Sequence, residues 1–536
     1  MIKEESTNLA QVDAAQAGRN RQLAIRLSMA MFVLVVDTSL MNVSISAIIK
    51  DLGLTASEIQ SAIALEALVS AAFILIGSKI GDLFGRKRAY VLGLLGYAVG
   101  ALAMTVAQSL TAILVFWALI GGLGASLLLP AMQSLIHGNF DGGERRKAYA
   151  QVGASAAIAT AVGPVLGGFT TTFLSWRVGF MLELALIAIV LSGIGLIKDV
   201  PYTGSRKIDA VGAVLSVLGM GGIVLGILVW QEGGDRVAAL LIVGALALVA
   251  LVWWLARRKR EGKPTLIDPG LFESSYFRLG ISQQTLQQIA LGGLMIALPI
   301  YLQMVLEYNA LGAGLSLAPL SLSMFAVALL AGRRAGKRRP SDIVLLGFSL
   351  LTVAVVALIP IVPRADSGWW LAIPLILGGS GLGLLVSQLN NYTLSPVSEE
   401  RASEAAGVNS AGGSFGLSFG LAFAGAIMLA TLSYSFTNMA QASTVIPAAD
   451  KEHVAQVLEE SAQFMSNTQL EQLLVGQPAE IQAEIIRINT EARNIGLQVA
   501  LLIPLLAGLF GIFNAFRMRR LADPKPSEAA EGLVMG

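Results

Sequence analysis

Hydrophobic residues in this chain of 536 residues fall into long unbroken runs that are separated by short polar stretches. An α-helix needs about 20 apolar residues to cross the hydrocarbon core of a bilayer. Fourteen runs reach about this length, at 27–49, 58–79, 89–108, 111–136, 148–174, 178–197, 209–230, 237–256, 279–305, 312–335, 341–361, 370–393, 404–433 and 491–516. The pattern predicts an all-α membrane protein with fourteen transmembrane helices, numbered spans 1–14.

Composition agrees with this prediction and excludes several classes of protein. Hydrophobic residues make up 55% of the chain and charged residues 13%, about half the charged fraction of a typical soluble protein. A net charge of +2 argues against a nucleic-acid-binding surface. The chain has no cysteine and only two histidines, so we expect no metal site and no cofactor. No nucleophile–base arrangement suggests an enzyme.

Basic residues between the spans predict the orientation in the membrane. If the N-terminus is cytoplasmic, 30 of the 37 lysine and arginine residues fall in cytoplasmic segments. The positive-inside rule therefore predicts that both termini, segments 1–26 and 521–536, are cytoplasmic. The first segment lacks the apolar core of a signal peptide. We expect a monomer in a bacterial cytoplasmic membrane, in contact with the lipid bilayer.

The connection between spans 13 and 14, residues 437–490, is far longer than the others and is predicted to lie outside. Its central part, 440–489, carries a net charge of −5. Residues 450–465 have the pattern of an amphipathic helix, and Pro478 is suited to the first turn of a second helix over 479–493. Two interpretations are open: a solvated hairpin over the outer mouth, or a gate or docking element for an extracytoplasmic protein partner.

The loop after span 2 contains closely spaced glycines and charges, in the order Gly81, Asp82, Gly85, Arg86. The glycines permit close backbone approach, and the aspartate can accept hydrogen bonds from helix N-termini or from Arg86. Span 5 contains a second motif, Gly163, Pro164, Gly167, Gly168. Its proline interrupts helical hydrogen bonding, and its glycines leave a groove for a neighbouring helix.

These two motifs resemble the cytoplasmic-loop signature and the antiporter signature of the major facilitator superfamily. The stretch 36–43 in span 1 is similar to a pattern of its fourteen-helix drug:proton antiporters, as are Leu302-Gln303, Asn390-Asn391 and the stretch 406–409. The resemblance covers residues 27–520 and implies two six-helix bundles with two inserted helices. The implied division is an N-terminal bundle at 27–198, inserted helices at 199–262, and a C-terminal bundle at 263–436 that is completed by the last helix at 491–520.

The chain departs from that subfamily in span 4, where an arginine that the subfamily places before a Gly-x-Gly falls at Ala118. Three acidic residues lie within spans instead: Asp37, Glu66 and Glu183. A charged residue costs at least about 2.5 kcal/mol at the bilayer centre, so each needs a compensating role. We predict that these three carboxyl groups couple transport to protons or neutralise a cationic substrate. The alternative is a structural hydrogen bond to a neighbouring helix for Asp37 and pairing with Arg177 for Glu183.

A cavity between the two bundles is expected to hold the substrate. The predicted lining combines amides, aromatics and methionine: Met41, Asn42, Trp117, Gln284, Gln288, Tyr301, Gln303, Asn390, Asn391 and Phe415. Ordinary helix packing is the alternative for each of them. The combined reading is a secondary active transporter that exports hydrophobic, cationic compounds in exchange for protons by alternating access. An exporter of lipids or envelope precursors that works with an outer partner, and a non-transporting membrane sensor, are the alternatives.

Overall fold

The computed structural model describes residues 2–140, 142–199, 209–231, 237–333, 338–394, 396–397, 399–458 and 467–522. Over these residues the regular structure is helical, and no strand occurs. Fourteen helices are long and apolar enough to cross a membrane, as the sequence predicted. The all-α fold class is therefore confirmed.

The helices follow the predicted spans closely. Those of the N-terminal bundle are Ile2–Leu52, Ala56–Phe84, Arg86–Val106, the consecutive stretches Leu110–Ala112, Ile113–Gly121 and Gly122–Asn139, then Gly142–Phe173 and Trp176–Ser192. The inserted helices are Ala210–Gln231 and Val237–Arg260. Those of the C-terminal bundle are Ser275–Ile300 continued by Tyr301–Val305, Ala310–Arg333, Pro340–Ile361, Ala372–Leu394, Glu399–Ala442, and Ala479–Ala500 followed by Leu502–Arg519.

Helix ends differ from the predicted ones where polar sequence continues a helix. The first helix already begins at Ile2, so most of the polar segment 1–26 extends span 1. Pro478 occupies the position before its helix rather than the first turn, and that helix continues through Arg493 to Ala500. The outer segment and span 14 are therefore joined by one helix. A hydrophobicity pattern cannot show such extensions, because a polar segment has no apolar run to mark it.

Two pairs of helices form most of the contact between the bundles: span 5 packs against span 10, and span 2 packs against span 13. The inserted helices pack on each other, and span 7 also contacts spans 2 and 13. The buried carboxylate of Asp209 begins span 7 by accepting from the backbone N–H of Gly212 at 3.0 Å. It also accepts from the Trp254 indole at 2.9 Å, which ties span 8 to the start of span 7.

The end of the molecule that carries Arg519 and the N-terminus is here called the basic face, and the opposite end, which carries segment 437–490, the hairpin face. The described part of that segment packs onto its own chain. Leu458 and Leu470 are buried, and Thr468 donates to the Glu307 carboxylate through its backbone N–H at 2.9 Å and its hydroxyl at 2.6 Å. Residues 459–466, which complete the predicted helix 450–465, lie outside the described residues.

Candidate functional site

The two bundles are packed tightly together near the hairpin face. Thr172 accepts a hydrogen bond from the backbone N–H of Leu311 at 3.0 Å, which joins spans 5 and 10. Gln303 accepts from the hydroxyl of Ser46 in span 1. Gly168 lies so close to span 10 that an added Cβ would be 2.8 Å from the Cα of Leu311. This end of the interface is closed by backbone-to-backbone contact.

A cavity of about 310 Å³ lies between the bundles, deeper in the molecule. A second cavity of about 290 Å³ shares Met31, Gln288 and Ser414 with the first. It extends toward the basic face, along Ile136 at the end of span 4 and Ala406 at the start of span 13. The two cavities therefore extend from the centre of the molecule toward the basic face, and the packing of the bundles closes the interior toward the hairpin face.

The chemistry of the central cavity is apolar with a few hydrogen-bond acceptors. Glu66 is the one charged side chain among the described residues that line it. The amide of Asn42 donates to the carbonyl of Thr38 at 2.8 Å, which fixes its orientation and leaves its oxygen without a partner. The side-chain oxygens of Gln287 and Gln288 also have no partner. A ligand that carries donors or positive charge matches such a lining.

Beside the cavity, Asp37 of span 1 is held by two neutral donors. The Tyr97 hydroxyl donates to its carboxylate at 2.9 Å, and the Trp117 indole N–H donates at 3.0 and 3.2 Å. All three side chains are buried. Trp117 lies in the π-helical stretch Ile113–Gly121, and its neighbour Ala118 stands at the position of the missing arginine. Asp37 is thus stabilised by hydrogen bonds rather than by a cation.

The other two acidic side chains lie close to Asp37. The carboxyl group of Glu183 in span 6 lies beside that of Asp37, both residues are buried, and neither carboxyl oxygen of Glu183 has a hydrogen-bond partner among the described residues. Two carboxyl groups can share a hydrogen bond only when one of them carries a proton. Glu66 interacts electrostatically with both, and it is the member of the group that reaches the cavity. The three residues form one cluster, which we call the carboxyl cluster.

The predicted lining residues divide into two groups. Those on the walls of the two cavities are Asn42, Gln284, Gln288 and Asn390. Those packed away from the walls are Met41, Trp117, Tyr301, Gln303 and Phe415. Met41 and Tyr301 are fully buried in the hydrophobic core, because their side chains fill space between helices of one bundle. The side chain of Asn391 lies outside the described residues.

The loop motif after span 2 marks a helix junction. Gly85 has φ +102°, a conformation that favours glycine, and it ends span 2 and begins span 3. Asp199, which follows span 6, accepts from the backbone N–H of Lys87 at 3.1 Å. Gly81 is buried, and Arg86 follows the junction. The side chain of Asp82 lies outside the described residues.

The glycines of span 5 lie along interfaces. A Cβ at Gly163 would be 2.5 Å from that of Ser39, and one at Gly167 would be 3.2 Å from the Cα of Leu40, so both lie against span 1. Gly168 faces span 10, and the carbonyl of Pro164 touches Gly314 of the same span. Pro164 and Gly168 of the motif therefore form a close backbone contact between the bundles, and Gly163 and Gly167 pack against span 1 within one bundle.

Tyr97 was not among the predicted site residues, although it both holds Asp37 and lines the cavity. A tyrosine hydroxyl buried in a membrane needs a hydrogen-bond partner. The presence of Tyr97 within span 3 was therefore the sequence feature that could have indicated its role. Asn409, which donates to Asn390 at 2.7 Å on the wall toward the basic face, was part of the recognised stretch 406–409 but not of the predicted site.

Comparison with known proteins gives matches over most of the chain. A family model described as Major Facilitator Superfamily matches residues 27–219 and 202–421. The "Probable actinorhodin transporter" of Streptomyces coelicolor is 27% identical over 385 residues, 70% of this chain and 66% of that protein. The "Puromycin resistance protein pur8" of Streptomyces alboniger is 29% identical over 71% of this chain and 76% of that protein.

Two further matches are another curated transporter and a solved structure. The "Multidrug export protein EmrB" of Escherichia coli K12 is 26% identical over 72% of this chain and 76% of that protein. The crystal structure of a peptide transporter, POT, in complex with sulfate superposes with a TM-score of 0.57 at 15% identity, covering 94% of this chain and 96% of that one. This structural match concerns the fold alone.

Proposed function

The chain belongs to the major facilitator superfamily, and from this premise we propose that it exports hydrophobic, cationic compounds in exchange for protons. The predicted family and the transporter class, as opposed to an enzyme, are confirmed by the family match and by relatives that are themselves named as transporters or resistance proteins. Substrate charge, coupling ion and direction of transport are our proposals.

The observation that carries the proposal is the charge of the central cavity. Glu66 is the charged residue on its wall, and the unpartnered amide oxygens nearby are all acceptors. A cation is attracted by such a lining, whereas an anionic compound would meet a carboxylate with no base to offset it. Met31, Met295 and Met324 supply adaptable apolar surface, which suits substrates of varied shape.

The carboxyl cluster offers a route by which the same site exchanges a proton for a cation. Glu183 lies beside Asp37, so the two carboxyl groups can exchange a proton, and Tyr97 and Trp117 stabilise the charged form of Asp37 by donating to its carboxylate. A cation that approaches Glu66 favours the charged form of the cluster and so releases a proton. Protonation in the opposite conformation would neutralise Glu66 and release the cation.

The shape of the interior fits loading from the basic face. The cavities continue toward that face, and the hairpin face is closed by the contact of spans 5 and 10. The concentration of lysine and arginine on the basic face favours its placement in the cytoplasm of a bacterial cell. The proposed cycle therefore takes up the compound from the inside and opens outward by rocking of the bundles.

Transport in proteoliposomes with an imposed pH gradient tests the proposal. A lipophilic fluorescent cation is the probe, and uptake into inside-out vesicles is compared with that of a neutral analogue of similar size. We expect the cation to accumulate in the vesicles and its accumulation to stop when the pH gradient is collapsed. Glu66→Gln should no longer transport the cation but should retain the fold. Undiminished transport after collapse of the gradient would refute proton coupling, and equal transport of the neutral analogue would refute the cation preference.

A further inference from the structure

A pocket of about 380 Å³ lies at the basic face, outside the carboxyl cluster and the central cavity. It is formed between the start of span 9 and the end of span 14. Its polar lining consists of three arginines and three uncharged donors: Arg278, Arg517, Arg520, Ser275, Ser282 and Asn514. Among the described residues that form it, none is acidic. The pocket is therefore a concentration of positive charge.

The two arginines of span 14 are available to a ligand. In the part of the chain that the structure describes, neither Arg517 nor Arg520 is in an ion pair, whereas Arg519 between them pairs with Asp342 at 2.8 Å. Arg278 is held toward the pocket by Ser275 and by the carbonyl of Phe272, both at 3.1 Å. The guanidinium of Arg278 is thus oriented on the span 9 side of the pocket, and those of Arg517 and Arg520 are exposed on the span 14 side.

The pocket floor is made of groups that still have a proton to donate. Asn514 donates to the hydroxyl oxygen of Ser282 at 2.9 Å, so that the hydroxyl proton of Ser282 is free to point elsewhere. Ser275 accepts from Arg278 in the same way. The N-terminus of the span 9 helix, which begins at Ser275, adds the positive end of its dipole. An anion with several acceptor oxygens matches this arrangement.

The surface next to the pocket indicates where that anion comes from. Phe510, Phe513 and Phe516 are 60%, 62% and 50% exposed on span 14. Residues 513, 516, 517 and 520 fall on one side of the helix, so the exposed side changes from aromatic to basic within one turn. In a bilayer the aromatic part lies against acyl chains, and the basic part lies at the depth of the headgroups.

We propose that this pocket binds the phosphate of an anionic glycerophospholipid from the leaflet at the basic face. The arginines and Ser282 receive the phosphate oxygens, and the acyl chains lie along the phenylalanines of span 14. Gln283 joins spans 9 and 14 just behind the pocket by donating to the carbonyl of Gly511 at 2.9 Å. A lipid seated in front of this contact bridges the first and last helices of the C-terminal bundle.

The experiment compares wild type with the double variant Arg517→Gln/Arg520→Gln. Each purified protein is delipidated, titrated with phosphatidylglycerol in phosphatidylcholine nanodiscs, and examined by native mass spectrometry and thermal unfolding. A basic residue near a membrane surface contributes about 1 kcal/mol to binding an anionic lipid, so losing two should weaken the tightest binding about thirtyfold. Arg519→Gln is the matched control, since its guanidinium is already occupied by Asp342, and it should retain the binding.

Three results would overturn the proposal. Unchanged binding by the double variant is one, since it would show that Arg517 and Arg520 do not hold the lipid. Equal loss in Arg519→Gln is another, since it would indicate a general effect of surface charge. A third is stabilisation by inorganic phosphate alone that also depends on Arg517, because it would assign the pocket to a free anion. Arg517→Lys/Arg520→Lys keeps the charge and should restore most of the lipid binding, which separates loss of a ligand from loss of the fold.

Discussion

Replacing Gly168 by alanine should shift the transporter toward a form that is open at the hairpin face. The added Cβ would lie 2.8 Å from the Cα of Leu311 and 2.5 Å from the carbonyl oxygen of Ala310. Carbon atoms pack at about 3.5 Å or more, so spans 5 and 10 would have to separate by about 0.7 Å. The alanine creates this strain in the closed contact only, because the two spans part when that face opens.

Overpacking of this kind costs about 1–3 kcal/mol, which corresponds to a roughly 5- to 150-fold change in the ratio of open to closed forms. The chain has no cysteine, so paired spin labels can be introduced without removing native thiols. Labels at Leu174 and Trp369, which are exposed at the hairpin face of the two bundles, report their separation by pulsed electron spin resonance.

Gly221→Ala is the matched control, because Gly221 is a helical glycine in span 7 with nothing within 4 Å of an added Cβ. We expect the long-distance population to grow in Gly168→Ala and to stay at the wild-type level in Gly221→Ala. An unchanged distance distribution in Gly168→Ala would show that the contact of spans 5 and 10 does not hold the hairpin face closed.

Three further predictions address other parts of the molecule. Tyr97→Phe removes a donor to the buried Asp37 carboxylate and should lower the stability by about 1.5–3 kcal/mol in thermal unfolding and slow transport; wild-type stability and transport would contradict this. Asp209→Ala leaves three donors unpaired, the backbone N–H groups of Gly212 and Leu266 and the Trp254 indole, and should lower the stability by about 2–4 kcal/mol in thermal unfolding, whereas Glu261→Gln, at an exposed ion pair, should have little effect. Glu307→Ala should expose the outer segment to protease added at the hairpin face, and wild-type cleavage rates would refute the docking contact.

The number and order of the membrane helices could be predicted because run length alone decides whether a segment crosses a bilayer. The ends of the helices could not be predicted in this way, as span 1 shows. Its helix continues through polar residues to Ile2, where no apolar pattern marks it. Span 14 likewise begins inside the polar outer segment, at Ala479. Helix continuation in water depends on local propensity and tertiary contacts rather than on hydrophobicity.

The acidic residues of the site could be predicted because a carboxyl group in an apolar run is costly and therefore conspicuous. That Asp37 and Glu183 face each other could not, because it depends on how spans 1 and 6 are rotated in the bundle. The same limit applies to aromatic residues. Trp117 and Tyr301 are both aromatic residues with one donor in an apolar run. Trp117 donates to the carboxylate of Asp37, whereas Tyr301 donates to the carbonyl of Ala365 at 3.1 Å.

The π-helical stretch Ile113–Gly121 has a consequence for how residues of span 4 are compared between proteins. Its turns contain more residues than α-helical turns. After this stretch, two residues that have the same position when counted along the sequence therefore point in different directions around the helix. Counting places Ala118 at the arginine position, but the side chain that reaches Asp37 belongs to the residue before it, Trp117. Removing one residue from this stretch would turn the preceding part of the helix by about 100° and take the indole away from the carboxylate. In this chain the donor to Asp37 therefore depends on the helix register of the π-helical stretch.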